Sequence, residues 1–156
     1  MVPIPPASIA LEHLGIPHSV FRHGSEVHSL EQAAQERAQR PDQVVRSILF
    51  RLGEDQYIMA LAAGPAQISW KRLRKHLGQS RLTMASEAEV FQVTGYRVGA
   101  VSPFGTTTVL KVLVDPSVLK ESEISLGSGI RGVAIMIKSA DLLSALSNYE
   151  VLQLLE

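Results

Sequence analysis

The sequence contains no cysteine in its 156 residues. That removes disulfides, thiolate nucleophiles and Cys-based zinc sites from consideration, and it fits a reducing cytosolic setting. Charge imbalance is missing too, because 15 Lys and Arg face 15 Asp and Glu. A neutral chain exerts no strong overall field on a polyanion, so any contact with nucleic acid has to come through one basic patch or the nucleic acid's terminus. No run approaches the roughly 20 apolar residues that span a bilayer. The opening residues, Met1-Val2-Pro3-Ile4-Pro5-Pro6, carry neither a basic start nor an apolar stretch. No membrane partner and no secretory leader are expected, and the cytoplasm is the expected location. What is present is an ordinary apolar share of 46%, on a chain long enough to enclose one core.

Punctuation divides the chain into short elements. Pro5 and Pro6 before, with Gly15 and Pro17 after, delimit a helix over Ala7 to Leu14. A strand is expected over His18 to Arg22. Ser29-Leu30-Glu31-Gln32 has the spacing of a capping box and opens a helix to Ala38, ahead of Pro41. Val44 to Leu52 and Tyr57 to Ala62, separated by Gly53-Glu54-Asp55, predict a hairpin. Strand alternation places Val45, Ser47, Leu49 and Arg51 on one face and Val44, Arg46, Ile48 and Phe50 on the other. Arg46 thus sits on a largely apolar face, where a charge is costly unless it meets an anion or a cleft. A helix over Ser69 to Leu77 stops at Gly78, a strand is expected at Arg81 to Met84, and Ser86 opens another helix that stops near Gly95. Gly95 to Gly105 reads as irregular. Strands follow at Thr107 to Val114, around Ile124 to Leu126, and at Gly132 to Lys138. Val133 to Ile137 is apolar on both faces and so central. Ser139 is expected to cap a closing helix. The whole, residues 1–156, reads as a single α+β domain without repeats or linkers.

Three segments carry a resemblance: Val44-Val45-Arg46-Ser47-Ile48-Leu49-Phe50; Thr94-Gly95-Tyr96-Arg97-Val98-Gly99-Ala100-Val101-Ser102-Pro103-Phe104-Gly105; and Leu126-Gly127-Ser128-Gly129-Ile130-Arg131-Gly132. In order and separation they resemble the YbaK and prolyl-tRNA-synthetase insertion-domain family, over about Ile16 to Leu146, with the middle segment the most specific. The resemblance implies a mixed, largely antiparallel barrel-like sheet surrounded by helices, with a small pocket between these loops. It implies a freestanding aminoacyl-tRNA deacylase that hydrolyses the ester of a mischarged, prolyl-type tRNA. The expected partners are the acceptor end of aminoacyl-tRNA and an aminoacyl-tRNA synthetase. Neither a metal nor an organic cofactor is implied.

On that reading Arg46 and Gly99 are the catalytic candidates. Substrate-binding candidates are His28, Tyr96, Ala100, Val101, Ser102, Pro103, Phe104, Gly105, Gly127, Ser128 and Gly129. Ester hydrolysis needs a placed water and support for developing oxyanion charge, and amides of a Gly-rich loop can give that support because no Cβ blocks close approach. Tyr96 and Phe104 are read either as stacking partners for the terminal adenine or as core anchors. Lys71, Arg72, Arg74 and Lys75 form either a solvated helix face or a contact for acceptor-stem phosphates.

Three positions depart from the family pattern. Arg46 replaces the usual Lys, Ala100 stands in a common Gly-Gly pair, and Ala134 stands where close relatives carry an acid. They keep a second function open, a binding module of the same fold that recognises the tRNA 3′ end, a nucleotide or a synthetase. Hydrolysis of another small ester is a third. Ser102 has no His or acid in a triad-like motif beside it. His13, His18, His23 and His28 recur every five residues, which suits ligands on neither a helix nor a strand.

Overall fold

The computed structural model describes residues 3–156. In chain order its elements are α1 (Pro6–His13), β1 (Ser19–Arg22), α2 (Leu30–Glu36), β2 (Val45–Gly53), β3 (Gln56–Ala63), α3 (Trp70–Leu77), β4 (Thr83–Met84), α4 (Glu87–Thr94), β5 (Val112–Val114), α5 (Ser117–Lys120), β6 (Glu123–Gly127), β7 (Val133–Lys138), α6 (Ser139–Ala145) and β8 (Tyr149–Val151). A 3-10 turn at Pro41–Gln43 leads into β2.

The strands form two sheets. One is three-stranded and antiparallel, in the order β1-β7-β6, with the apolar β7 at its centre. The other has the order β4-β2-β3-β5-β8; β2 pairs antiparallel with β3 and β4, whereas β3–β5 and β5–β8 are parallel. A single parallel bridge between Val44 and Ser125 links the two. The strands are mixed and largely antiparallel with helices around them, as the resemblance implies, and the sheet is not closed. The α+β mixture itself is as expected.

Alternation along β2 sets the layers. Val45 and Leu49 enter a core shared with Met59 and Leu61 of β3, Ile124 and Leu126 of β6, and Ile135 and Ile137 of β7. Phe50, with Ile48, belongs to a second cluster on the opposite face, under α3, where Leu73 is fully buried and Trp70 meets Phe50 edge-on at 5.2 Å.

Local chemistry explains most boundaries. Ser86 and Glu89 complete a reciprocal cap at the start of α4: the Glu89 amide donates to Ser86 Oγ at 3.2 Å and the Ser86 amide to Glu89 Oε1 at 2.9 Å. At α2 the Gln32 amide donates to Ser29 Oγ, but Gln32 Oε1 accepts from His28 rather than Ser29. α2 also stops at Glu36, and Ala38 turns the chain with φ of +56°. The strand expected from Thr107 shrinks to Val112–Val114, because Thr107 Oγ1 donates to the carbonyl of Val93 and Thr106 Oγ1 to that of Thr108, holding this stretch against α4 as a loop. Ser139 is the first residue of α6 rather than its cap; its amide donates to Ser122.

Candidate active site

A cavity of about 1150 Å³ opens between the two sheets. Its walls include residues between Arg22 and Leu30 with Arg37 after α2; β2 from Val45 to Leu49; Met84, Ala85 and Val90; the loop at Val98, Gly99 and Val101; and the end of β6 at Gly127 with Arg131 beyond it. Among the described residues no Phe, Tyr or Trp lines it.

Backbone proximity builds one wall. A Cβ on Gly127 would stand 2.1 Å from the Val101 carbonyl oxygen, so only glycine lets β6 lie against the loop. The Gly129 amide donates to the Ala100 carbonyl at 2.8 Å and stitches the same two segments together. Gly99 occupies the left-handed region, φ +94°, and among the described residues its amide donates to no protein acceptor. Such an amide suits a developing oxyanion.

Side chains build the opposite wall. His23, 1% exposed at its side chain, donates from Nδ1 to Glu36 Oε1 at 2.7 Å. Its Nε2 accepts from Arg37 Nε at 3.0 Å, which fixes the ring as the Nδ1–H tautomer. Arg37 Nη1 donates to Ser125 Oγ at 2.9 Å, and Ser125 Oγ donates to Gln39 Oε1 at 2.6 Å. Burial pulls the Arg37 guanidinium down to about 10, with Glu36 opposing it. The hydrogen bond from His23 holds the Glu36 carboxyl below its usual range, helped by Gln32 and opposed by burial.

Of the residues singled out from sequence, Arg46, Gly99, Val101 and Gly127 line this cavity. The Arg46 guanidinium, however, donates through Nη2 to the carbonyl of Ala66, and its Nε is buried without a partner among the described residues. Burial lowers its pKa and the nearby Asp115 carboxylate counters that. Ser47, the next residue and on the other strand face, keeps its hydroxyl buried and likewise unpartnered in the cavity wall.

The remaining candidates hold the loops from outside the cavity. Tyr96 is 4% exposed and donates to the Phe104 carbonyl at 2.5 Å, with burial raising its phenol to about 12. Phe104 is equally buried. Both side chains are buried in this structure, so neither ring presents an exposed face. Ser102 Oγ accepts from the Phe104 amide. Ser128 Oγ donates to the Val133 carbonyl at 2.7 Å. Ala100 is buried beneath the loop, and Pro103 and Gly105 continue it. Gly105 and Gly129 pack on Pro6 and Tyr96. His28 is exposed and off the wall. Ala134 is fully buried within β7. The basic residues Lys71, Arg72, Arg74 and Lys75 lie on α3, over the face of the five-stranded sheet that carries Phe50 and away from Val45 and Leu49.

Sequence reasoning missed His23, Arg37 and Ser47. His23 stood out only as one of the spaced histidines, and nothing local marks Arg37, whose partners lie 14 and 88 residues away.

The fold and cavity define a small-substrate site with a glycine-built wall facing a half-buried cation. The aminoacyl-tRNA editing domain family matches residues 24–145, and the chain belongs to that family. The multifunctional Ser/Thr-tRNA deacylase ProXp-y of Escherichia coli (strain K12) is 34% identical over 92 residues, covering 58% of this chain and 55% of that protein. A proline–tRNA ligase of Kosmotoga olearia is 35% identical over 75 residues, covering 48% of this chain and 13% of the ligase. The chain thus matches about half the length of the first of these relatives and a small part of the second. Among solved structures, one of a proposed trans-editing enzyme for prolyl tRNA synthetase superposes with a TM-score of 0.88 at 25% identity, over 97% of this chain and 95% of that one. No helix among the described residues is long and apolar enough to cross a membrane.

Proposed function

We propose that the protein is an aminoacyl-tRNA deacylase acting in trans, which hydrolyses the ester between a wrongly attached amino acid and the terminal adenosine of a prolyl-type tRNA. The observation that carries this reading is the cavity itself. It is large enough for an aminoacylated nucleoside, and its wall sets four arginines, Arg22, Arg37, Arg46 and Arg131, against one acid, Glu26. That balance suits a ligand made of a polarised carbonyl and a phosphodiester.

In the reaction a water oxygen adds to the ester carbonyl, and the oxyanion that forms is held by the Gly99 amide. The bond to the ribose oxygen then breaks. That oxygen takes a proton, the amino acid leaves as its carboxylate, and the second proton passes to solvent. A ribose hydroxyl of the substrate can assist the water. Arg46, bonded to Ala66, keeps β2 in place at the cavity edge. The basic face of α3 receives acceptor-stem phosphates, and a synthetase delivers the charged tRNA.

The test is deacylation of prolyl-type tRNA charged separately with Ala, Cys, Ser, Thr and Pro. Loss of one mischarged species, with Pro spared, is the expected result. Tight binding of charged tRNA without turnover of any species would replace the enzyme with a binding module.

A further inference from the structure

Of the four arginines on the cavity wall, three donate to backbone carbonyls: Arg22 to Pro3, Arg46 to Ala66 and Arg131 to Val98. Each is tethered there at a single nitrogen, and at Arg46 the buried Nε stays unpartnered among the described residues. Arg37 differs. Its Nε donates to His23 and its Nη1 to Ser125, and among the described residues nothing accepts from Nη2. Arg37 is part of the cavity wall, and Nη2 is not one of the fully buried polar atoms without a partner.

The support behind it is directional. Arg37 is the C-terminal cap of α2, where the helix dipole favours a cation. Glu36 accepts the hydrogen bond from His23 Nδ1–H, which leaves Nε2 able only to accept, and among the described residues the donor it faces is Arg37 Nε. Ser125, fully buried on β6, fixes the second edge of the fork. A fork held on two edges has one direction left. A desolvated cation with a free donor is also costly unless an anionic or carbonyl oxygen arrives to meet it.

We propose that Arg37 is the substrate-binding cation of this site, with Nη2 donating to the ester carbonyl oxygen and to the oxyanion it becomes, and that His23 is a positioning residue that aims it. The inference rests on the deacylase reading. It assigns to α2 the charge that the sequence pattern placed at Arg46. The hydrogen bond strengthens as negative charge grows on the carbonyl oxygen, so Arg37 acts more on turnover than on binding.

The experiment compares wild type with Arg37→Ala, Arg37→Lys, Arg46→Ala and His23→Phe. It measures single-turnover deacylation of the tRNA species that wild type hydrolyses, with thermal unfolding recorded for every variant. Arg37→Ala is expected to lose about 100-fold in rate, and millimolar guanidinium chloride, well below denaturing levels, is expected to restore several-fold. Arg37→Lys retains an intermediate rate, because an ammonium cannot serve His23, Ser125 and the substrate together. His23→Phe slows the reaction less than Arg37→Ala and gains nothing from guanidinium. The second arm measures binding of a non-hydrolysable 3′-aminoacylamino-adenosine to wild type and Arg37→Ala. Weaker binding by the variant supports the assignment even if wild type turns over no tRNA, in which case only the deacylase reading falls. Folded Arg37→Ala with rate and analogue affinity within about twofold of wild type would overturn the proposal. So would guanidinium rescue of Arg46→Ala and not of Arg37→Ala.

Discussion

On one side of the cavity, Gly127 lies against Val101 so closely that no side chain fits between them, and the wall is peptide backbone. On the other, His23, Glu36, Arg37, Ser125 and Gln39 pass hydrogen bonds from one side chain to the next. The first wall offers fixed amides and tolerates no side chain at Gly127, where a Cβ meets main chain. The second offers a charge whose direction depends on every member of the relay. The two walls divide the work: the glycine wall shapes the site and the α2 wall supplies its polarity. Arg46 and Arg37 sharpen the contrast, for the first is tethered at one nitrogen to a backbone carbonyl and the second is held at two nitrogens by side chains.

The greatest effect is expected where the glycine wall is broken. Gly127→Ala forces a methyl group into the Val101 carbonyl and should cost about 3 kcal/mol in urea unfolding. It should lower turnover as well, because shape and stability depend there on the same close approach. A neutral result would mean that the loop is soft and the wall is not set by backbone proximity.

Next comes the region around Arg46. Asp115 accepts from the amides of Leu154, Leu155 and Ser117. Burial pushes its carboxyl up, yet these bonds outweigh burial and hold it below its ordinary value. A lowered folded-state pKa means stability that is present above the ordinary carboxylate range and lost as pH falls through the lowered value. Asp115→Asn should cost about 2 kcal/mol at neutral pH. The difference from wild type should shrink in acid, as chemical unfolding at a series of pH values would show. Turnover should hardly change. An activity loss larger than that of Arg37→Ala would erase the distinction between tethered and working cation.

A smaller effect should come from Ala38, which follows Arg37 with φ of +56°. A left-handed alanine costs about 1 kcal/mol relative to glycine. Ala38→Gly should therefore raise stability by about that amount while Arg37 keeps its partners and its rate. The weakest effect belongs to the basic face of α3. Lys71→Gln with Lys75→Gln should weaken tRNA binding slightly and reduce its salt dependence, by a slope of roughly one for each phosphate no longer neutralised. Hydrolysis of a minimal aminoacyl-adenosine should be untouched.

The glycine wall was legible in the sequence because its determinants are local. Gly99, Gly127 and their neighbours stand in contiguous motifs, and the faces of β2 follow from alternation alone. The caps at Ser29 and Ser86 were equally visible. The α2 wall was not, since Arg37 meets His23 and Ser125 through sheet pairing that no local pattern reports. Tyr96 and Phe104 illustrate the reverse difficulty. An aromatic beside a glycine loop reads equally well as ligand platform or loop anchor, and only burial decides. β8 escaped notice because Tyr149-Glu150-Val151 is too short to show a period. The sheets are not closed, since a single bridge, Val44 to Ser125, joins them.

Everything proposed for the site requires that the cavity hold the aminoacyl ester between its two walls. A crystal structure with the non-hydrolysable 3′-aminoacylamino-adenosine would show this without intermediaries. The expected result is the ligand in the cavity, its carbonyl oxygen within hydrogen-bond distance of the Gly99 amide and Arg37 Nη2. A saturating ligand bound elsewhere, or one in the cavity with its carbonyl away from both groups, would contradict it.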